Sequence, residues 1–206
     1  MEFKICKDHE ELTQETSSWC HNKVQATGAK SLYLPAGNTP VPIYKEWTQR
    51  PPLFLQKLSL IQIDDIITGP KAGIFKSFFL QNLPGHESQF RWIGDQYDQG
   101  DLSILGLGIN GHIAFHEPEL PKDFYSGCVH LSEKTCQSLG VDASTWGVTY
   151  GASAFLKSKA ILMLVLGEAK REVLQRLINK DPSLPATALC YHSDFTILAD
   201  HGASGR

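Results

Sequence analysis

Between Asp8 and Thr27, Leu12, Trp19, Cys20 and Val24, at spacings of four, seven and eight, tend to one face, which predicts an amphipathic helix. Asp8 and Glu11 stand three apart, as a capping pair would. The apolar run from Ser31 to Pro35 then predicts a strand that ends in Ala36-Gly37-Asn38-Thr39-Pro40. There Thr39 is placed to cap, and Pro40 to open, a helix running toward Trp47. The same rhythm continues with a strand over Leu58 to Ile63, a helix over Lys71 to Leu83, and strands over Phe90 to Ile93 and Leu102 to Leu107. Ala160 to Leu166 is continuously apolar, as a strand buried on both faces requires, Glu168 to Asn179 reads as a helix, and Phe195 to Ala199 closes the series.

This alternation predicts an α/β fold, a Rossmann-like three-layer sandwich whose mostly parallel central sheet carries helices on both faces. One connection resists the scheme: Gly94 to Gly100 is too short for a helical crossover, so the strands on either side of it are not expected to be parallel neighbours. With no internal repeat or linker, residues 1–206 are expected to form one domain, with His201 to Arg206 as a loose tail.

Composition narrows the function classes. A formal charge of −3 and a pI near 6.2 give no broad basic footprint, so nucleic acid is set aside as a principal partner. No stretch reads as a leader or a membrane span, which predicts a cytosolic protein without a membrane partner. Cys6, Cys20, Cys128, Cys136 and Cys190 are scattered, odd in number and free of any CxxC pair, and are expected to be buried reduced thiols.

Ligands of open α/β sheets gather beyond the carboxyl ends of strands, and four such places carry chemistry. Gly37-Asn38-Thr39 precedes a helix whose free N–H groups and dipole favour a phosphate, although a plain βα turn would look the same. Asp64-Asp65 ends an apolar run, where a partly dry carboxyl suits a general base, although either acid could simply cap a turn. Gly106, Gly108 and Gly111 satisfy GxGxxG, but Pro118 and Pro121 follow too soon for the helix of a dinucleotide fingerprint. His112 and His116 have the i, i+4 spacing of a zinc pair, but Ile113 stands where HExxH needs its glutamate. What remains there is His112 with Asn110 and Glu117 close by, an imidazole able to move protons while its neighbours fix its tautomer; His116 reads as a polar surface or packing residue. Lys170, in Gly167-Glu168-Ala169-Lys170, could reach a phosphate at the sheet edge or lie in solvent.

Taken in order, these segments resemble the family of glucosamine-6-phosphate deaminases, galactosamine-6-phosphate isomerases and 6-phosphogluconolactonases. Leu34-Pro35-Ala36-Gly37-Asn38-Thr39-Pro40 resembles its LPTGGTP loop, Asp64-Asp65 its DE pair, and Gly108 to Pro118 its GxGx(D/N)GHIxFNEP segment. Leu166 to Lys170 is similar to (T/L)GxxK, and Pro185 to Leu189 with His192 to PAS-x-L-x-x-H. The lactonase branch has DGHTASLFP at the third segment, so Phe115-His116-Glu117-Pro118 resembles the deaminase branch.

The resemblance implies an amino-sugar-6-phosphate deaminase/isomerase acting on a small phosphorylated sugar, with a lactonase or a non-catalytic sugar-phosphate sensor as alternatives. It implies that His112 opens the sugar ring, Asn110 and Glu117 tune it, and Asp64 takes the C2 proton. Gly37, Asn38, Thr39 and Lys170 would hold the phosphate, with Asp65 among the substrate-binding residues, and no metal or other cofactor is implied. Three departures stand out. Asn38 replaces a glycine and is expected to survive through its tolerance of positive φ. Phe124-Tyr125-Ser126-Gly127-Cys128-Val129 stands where many deaminases have an arginine-rich SRTR segment, which implies weak or no hexameric allostery; a monomer or small homo-oligomer is expected. The short Gly94 to Gly100 link implies a trimmed member of the family.

Overall fold

The computed structural model describes residues 1–95 and 98–205. In chain order its elements are β1 (Glu2–Cys6), α1 (His9–Thr27), β2 (Ser31–Leu34), α2 (Val41–Gln49), β3 (Ser59–Gln62), β4 (Asp64–Ile66), α3 (Ile74–Asn82), β5 (Phe90–Arg91) and β6 (Leu102–Gly106). They continue with β7 (Ser126–His130), α4 (Glu133–Leu139), β8 (Trp146–Tyr150), α5 (Ala152–Phe155), β9 (Ala160–Val165), α6 (Arg171–Ile178), β10 (Phe195–Asp200) and α7 (His201–Ser204).

Seven strands form a parallel sheet in the order β1-β10-β9-β6-β2-β3-β5. Side chains of β9 alternate between two cores: Ala160, Leu162 and Leu164 join α1, α2 and α3 on one face, while Ile161, Met163 and Val165 join α5, α6 and α7 on the other. That is why Ala160–Val165 is apolar at every position. Each such leucine or isoleucine contributes about 1.5–3 kcal/mol by leaving water.

The predicted capping pair is present. Asp8 accepts the Glu11 N–H at 2.8 Å, and the Glu11 carboxylate accepts the Lys7 N–H at 2.7 Å. Thr39 does not cap α2, which begins at Val41 with Pro42 inside its first turn and no side-chain cap. Nor does Asn38 need a positive φ, because Gly37, at φ 99°, takes the left-handed bend itself.

β5 and β6, flanking the Gly94 to Gly100 link, are separated by β2 and β3, as its shortness predicted; Gln96 and Tyr97 lie outside the described residues. The expected loose tail is instead α7, with Ala203 and Ser204 buried, because Asp200 caps it by accepting the Ala203 N–H at 2.7 Å; Arg206 lies outside the described residues. Four cysteines are buried as expected, but Cys128 is exposed on β7. No described helix is long and apolar enough to cross a membrane.

A second, antiparallel sheet, β4-β8-β7, was not foreseen. The strand expected over Leu58 to Ile63 is β3, and after Ile63 the chain bends into this second sheet where only the end of a run was expected. Gln62 closes the bend, donating from Nε2 to the Asp64 carbonyl at 3.0 Å and to Asp65 Oδ2 at 2.8 Å.

Candidate active site

Connections from β2 run outward to β3 and β5, and those from β6 run the other way to β9 and β10, so neighbours β2 and β6 mark the point where winding reverses. A cleft of about 520 Å³ opens beyond their carboxyl ends. Pro35 to Pro40 line it after β2, Gly106 to Asn110 and His112 after β6, and Lys170 after β9, with Asp64 from the second sheet. α4, absent from the sequence expectations, adds Lys134, Thr135, Ser138 and Leu139. Its signal was present: Ser132 stands three residues before Thr135 and Gly140 ends the segment, a cap and a stop that frame one short helix.

Asp64 is 7% exposed. Burial, with a smaller contribution from the neighbouring Asp65 charge, pushes its carboxyl up to about 8. Asp64 pairs with Thr149 of β8, and Thr149 Oγ1 accepts the Phe115 N–H at 3.0 Å, so the second sheet ties this acid to the histidine-bearing loop.

In that loop, Glu117 is 3% exposed and Asn110 Nδ2 donates to its Oε2 at 2.8 Å. A carboxylate only accepts, so Asn110 must present its amide nitrogen to Glu117 and its carbonyl to His112 Nδ1, 2.7 Å away. His112 therefore carries its proton on Nδ1, leaving the Nε2 lone pair unused by that relay. Burial, with a further push from the Lys170 charge, holds the imidazole below its ordinary range; Glu117 opposes this. Gly108 packs beneath the ring, where a Cβ would overlap Cδ2, Cε1 and Nε2 together. Gly111 has φ 84° and a Cβ there would meet Leu184 at 2.7 Å; the Ala186 N–H donates to its carbonyl at 3.1 Å. Gly108 and Gly111 thus build the bed of a histidine loop.

His116 does not share a site with His112. It is 1% exposed, and its Nδ1 accepts the Ala152 N–H at 2.9 Å, which makes it a packing residue and separates the zinc-like pair. Among the described residues no group of three or more His, Cys, Asp or Glu is placed to hold a metal ion.

Asp65 faces away from the cleft, a correction to its place among the substrate-binding residues. Its carboxylate accepts from Gln62 Nε2 and from the N–H groups of Ile66, Phe75 and Lys76 at 2.8–3.0 Å, capping α3 from outside. Asp65→Ala leaves those donors orphaned and is expected to cost about 3 kcal/mol of stability, read as a fall in the urea midpoint at unchanged slope.

Gly37, Asn38, Thr39 and Lys170 all line the cleft. The N–H groups of the first three have no partner among the described residues. Lys170 is partly buried, and desolvation holds its ammonium below the usual lysine range. The described part of the chain also places Phe75 and Phe115 against each other on the cleft wall, with ring centres 5.7 Å apart. Periodicity alone gave no signal for either.

The family described as glucosamine-6-phosphate isomerases/6-phosphogluconolactonase matches residues 81–198. A glucosamine-6-phosphate deaminase of Streptococcus pneumoniae serotype 4 is 30% identical over 203 residues, covering 85% of this chain and 87% of that protein. This chain belongs to that family. Among solved structures of the family, a monomeric glucosamine-6-phosphate deaminase superposes with a TM-score of 0.83 at 26% identity, covering 100% of this chain and 99% of that one. The 6-phosphogluconolactonase of Leishmania guyanensis has the same fold, with a TM-score of 0.75 at 17% identity and coverage of 98% and 97%.

Proposed function

We propose that this chain is an amino-sugar-6-phosphate deaminase/isomerase, converting glucosamine-6-phosphate or galactosamine-6-phosphate to the ketose 6-phosphate and ammonia. One observation carries this reading: a buried carboxyl, Asp64, faces the same cleft as a histidine whose Nδ1 proton is fixed by an Asn–Glu relay. Lactone hydrolysis needs a base to activate water, which His112 alone would supply. A second base, kept basic by burial, suits removal of a carbon-bound proton.

His112 accepts the anomeric hydroxyl proton at Nε2 and returns a proton to the ring oxygen, opening the ring. Asp64 then takes the C2 proton of the aldehyde, the electron pair forms the C1–C2 double bond, and the carbonyl oxygen gains a proton to give an enolamine. Return of that proton at C1 leaves an imine at C2, which water hydrolyses to the ketone and ammonia. The substrate's carbonyl acidifies C2. The free N–H groups of Gly37, Asn38 and Thr39, with Lys170 and Lys134, supply cationic and donor groups for the phosphate. The monomeric relative supports a monomer or small homo-oligomer here.

The test is ammonium release from the two amino-sugar phosphates with EDTA present, beside hydrolysis of 6-phosphogluconolactone. Ammonium release that survives EDTA is expected. Acid release from the lactone alone would move the chain to the lactonase branch.

A further inference from the structure

The relay does not end at Glu117. The two oxygens of that buried carboxylate are divided between different partners: Oε2 accepts Asn110 Nδ2, while Oε1 accepts Ser132 Oγ at 2.9 Å and Thr135 Oγ1. Both hydroxyls belong to the first turn of α4. Ser132 is its N-cap, and while its proton goes to Glu117 its oxygen accepts the Thr135 N–H at 3.2 Å. Thr135 is buried and lines the cleft beside Lys134.

This division decides which group holds the histidine. His112 Nδ1 lies 3.6 Å from Glu117 Oε2, beyond a hydrogen bond, and 2.7 Å from Asn110 Oδ1. A small rotation of the carboxylate would let Glu117 take Nδ1 directly and displace Asn110. The hydroxyls on Oε1 oppose that rotation.

The geometry points to Thr135, with Ser132, as a positioning residue of the relay: their hydroxyls anchor Glu117 so that Asn110, rather than Glu117, holds His112 in its Nδ1–H form with Nε2 directed to substrate. α4 is thereby built into the proton-transfer machinery by the same turn that brings Lys134 to the cleft. The kinetic consequence rests on the deaminase/isomerase reading, but the histidine geometry does not.

The experiment is therefore arranged in two parts. Long-range proton–nitrogen NMR of ¹⁵N-histidine protein, without any ligand at neutral pH, reads the His112 tautomer directly. Wild type is expected to show one Nδ1–H form. Thr135→Val, which frees Glu117 to accept the Nδ1 proton itself, should keep the Nδ1–H tautomer but move the Nδ1 signal and raise the imidazolium fraction at neutral pH, Thr135→Ser should restore the wild-type signals, and Ser132→Gly, which keeps a tolerated cap residue, should move them the same way by less. With amino-sugar phosphate, Thr135→Val is expected to lower kcat about tenfold while leaving KM within about twofold, and Thr135→Ser to recover most of kcat. Folded Thr135→Val and Ser132→Gly proteins with the wild-type His112 spectrum would overturn the proposal, as would a Thr135→Ser protein that behaves like Thr135→Val. An NMR response without ammonium release from wild type supports the positioning role and rejects the substrate reading alone.

Discussion

Asp64→Asn is expected to slow C2 proton exchange by about 10³-fold and, in the same molecule, to raise the melting temperature. Both effects have one cause. Burial in the cleft floor, reinforced by the Asp65 charge, pushes the Asp64 carboxyl up to about 8, against about 3.9 in an unfolded chain. The folded state thus binds a proton that the unfolded state has released across the window between those values. Stability contributed by the protonated form is fully present below about pH 4 and declines as pH rises toward 8, amounting to a penalty of up to about 4 kcal/mol at pH 7. Asparagine carries no charge to desolvate. The gap in melting temperature between variant and wild type should therefore widen from pH 4 to pH 8 and then stop widening. Each kcal/mol should appear as roughly 2–4 °C in a domain of this size. A variant that loses exchange but shows a pH-independent gap would remove burial as the origin of the base.

The same value sets the pH profile. With the Asp64 carboxyl pushed up to about 8, kcat/KM should climb up to about tenfold per unit below pH 8 and level off above it. Burial and the Lys170 charge hold His112 below its ordinary range, so the limb that rises toward pH 8 is assigned to Asp64.

The parts of this architecture legible in the sequence were those built by local periodicity. β9 is buried on both faces and could be read as a continuous apolar run; α1 carries its stripe and its Asp8 cap. The second sheet was not legible because its strands are short and pair at long range. β4 is three residues long and follows β3 after Ile63 alone, so Asp64 and Asp65 look like the end of the strand over Leu58 to Ile63 rather than the start of another until the Gln62 bend is seen. Its partner β8 lies more than eighty residues further on in sequence, and only that pairing tells Asp64, whose side chain lines the cleft, from Asp65, whose carboxylate holds α3. Adjacent residues of one strand point to opposite faces, so two acids that look equivalent as a pair take unrelated work. α4 was missed for a related reason: seven residues carry too little periodicity to stand out, though its cap and its terminal glycine were visible.

The glycines of the histidine loop give the second large effect. Gly108→Ala is expected to lower kcat/KM by about 10²-fold while leaving the fold intact. A methyl group there would overlap three ring atoms of His112, and the ring has somewhere to go, because its side chain is 26% exposed on the cleft side. Swinging outward relieves the overlap but breaks the 2.7 Å bond to Asn110, so the cost falls on proton transfer rather than on packing. A dinucleotide fingerprint would place this glycine against a pyrophosphate, and its loss would then weaken ligand binding without touching His112. Double substitution separates the two roles. If Gly108 serves the imidazole, Gly108→Ala in a His112→Gln background should slow the enzyme no further, since the ring it displaces is already gone. Independent, multiplying losses from the two changes would mean that Gly108 acts on the substrate or the backbone by a separate route.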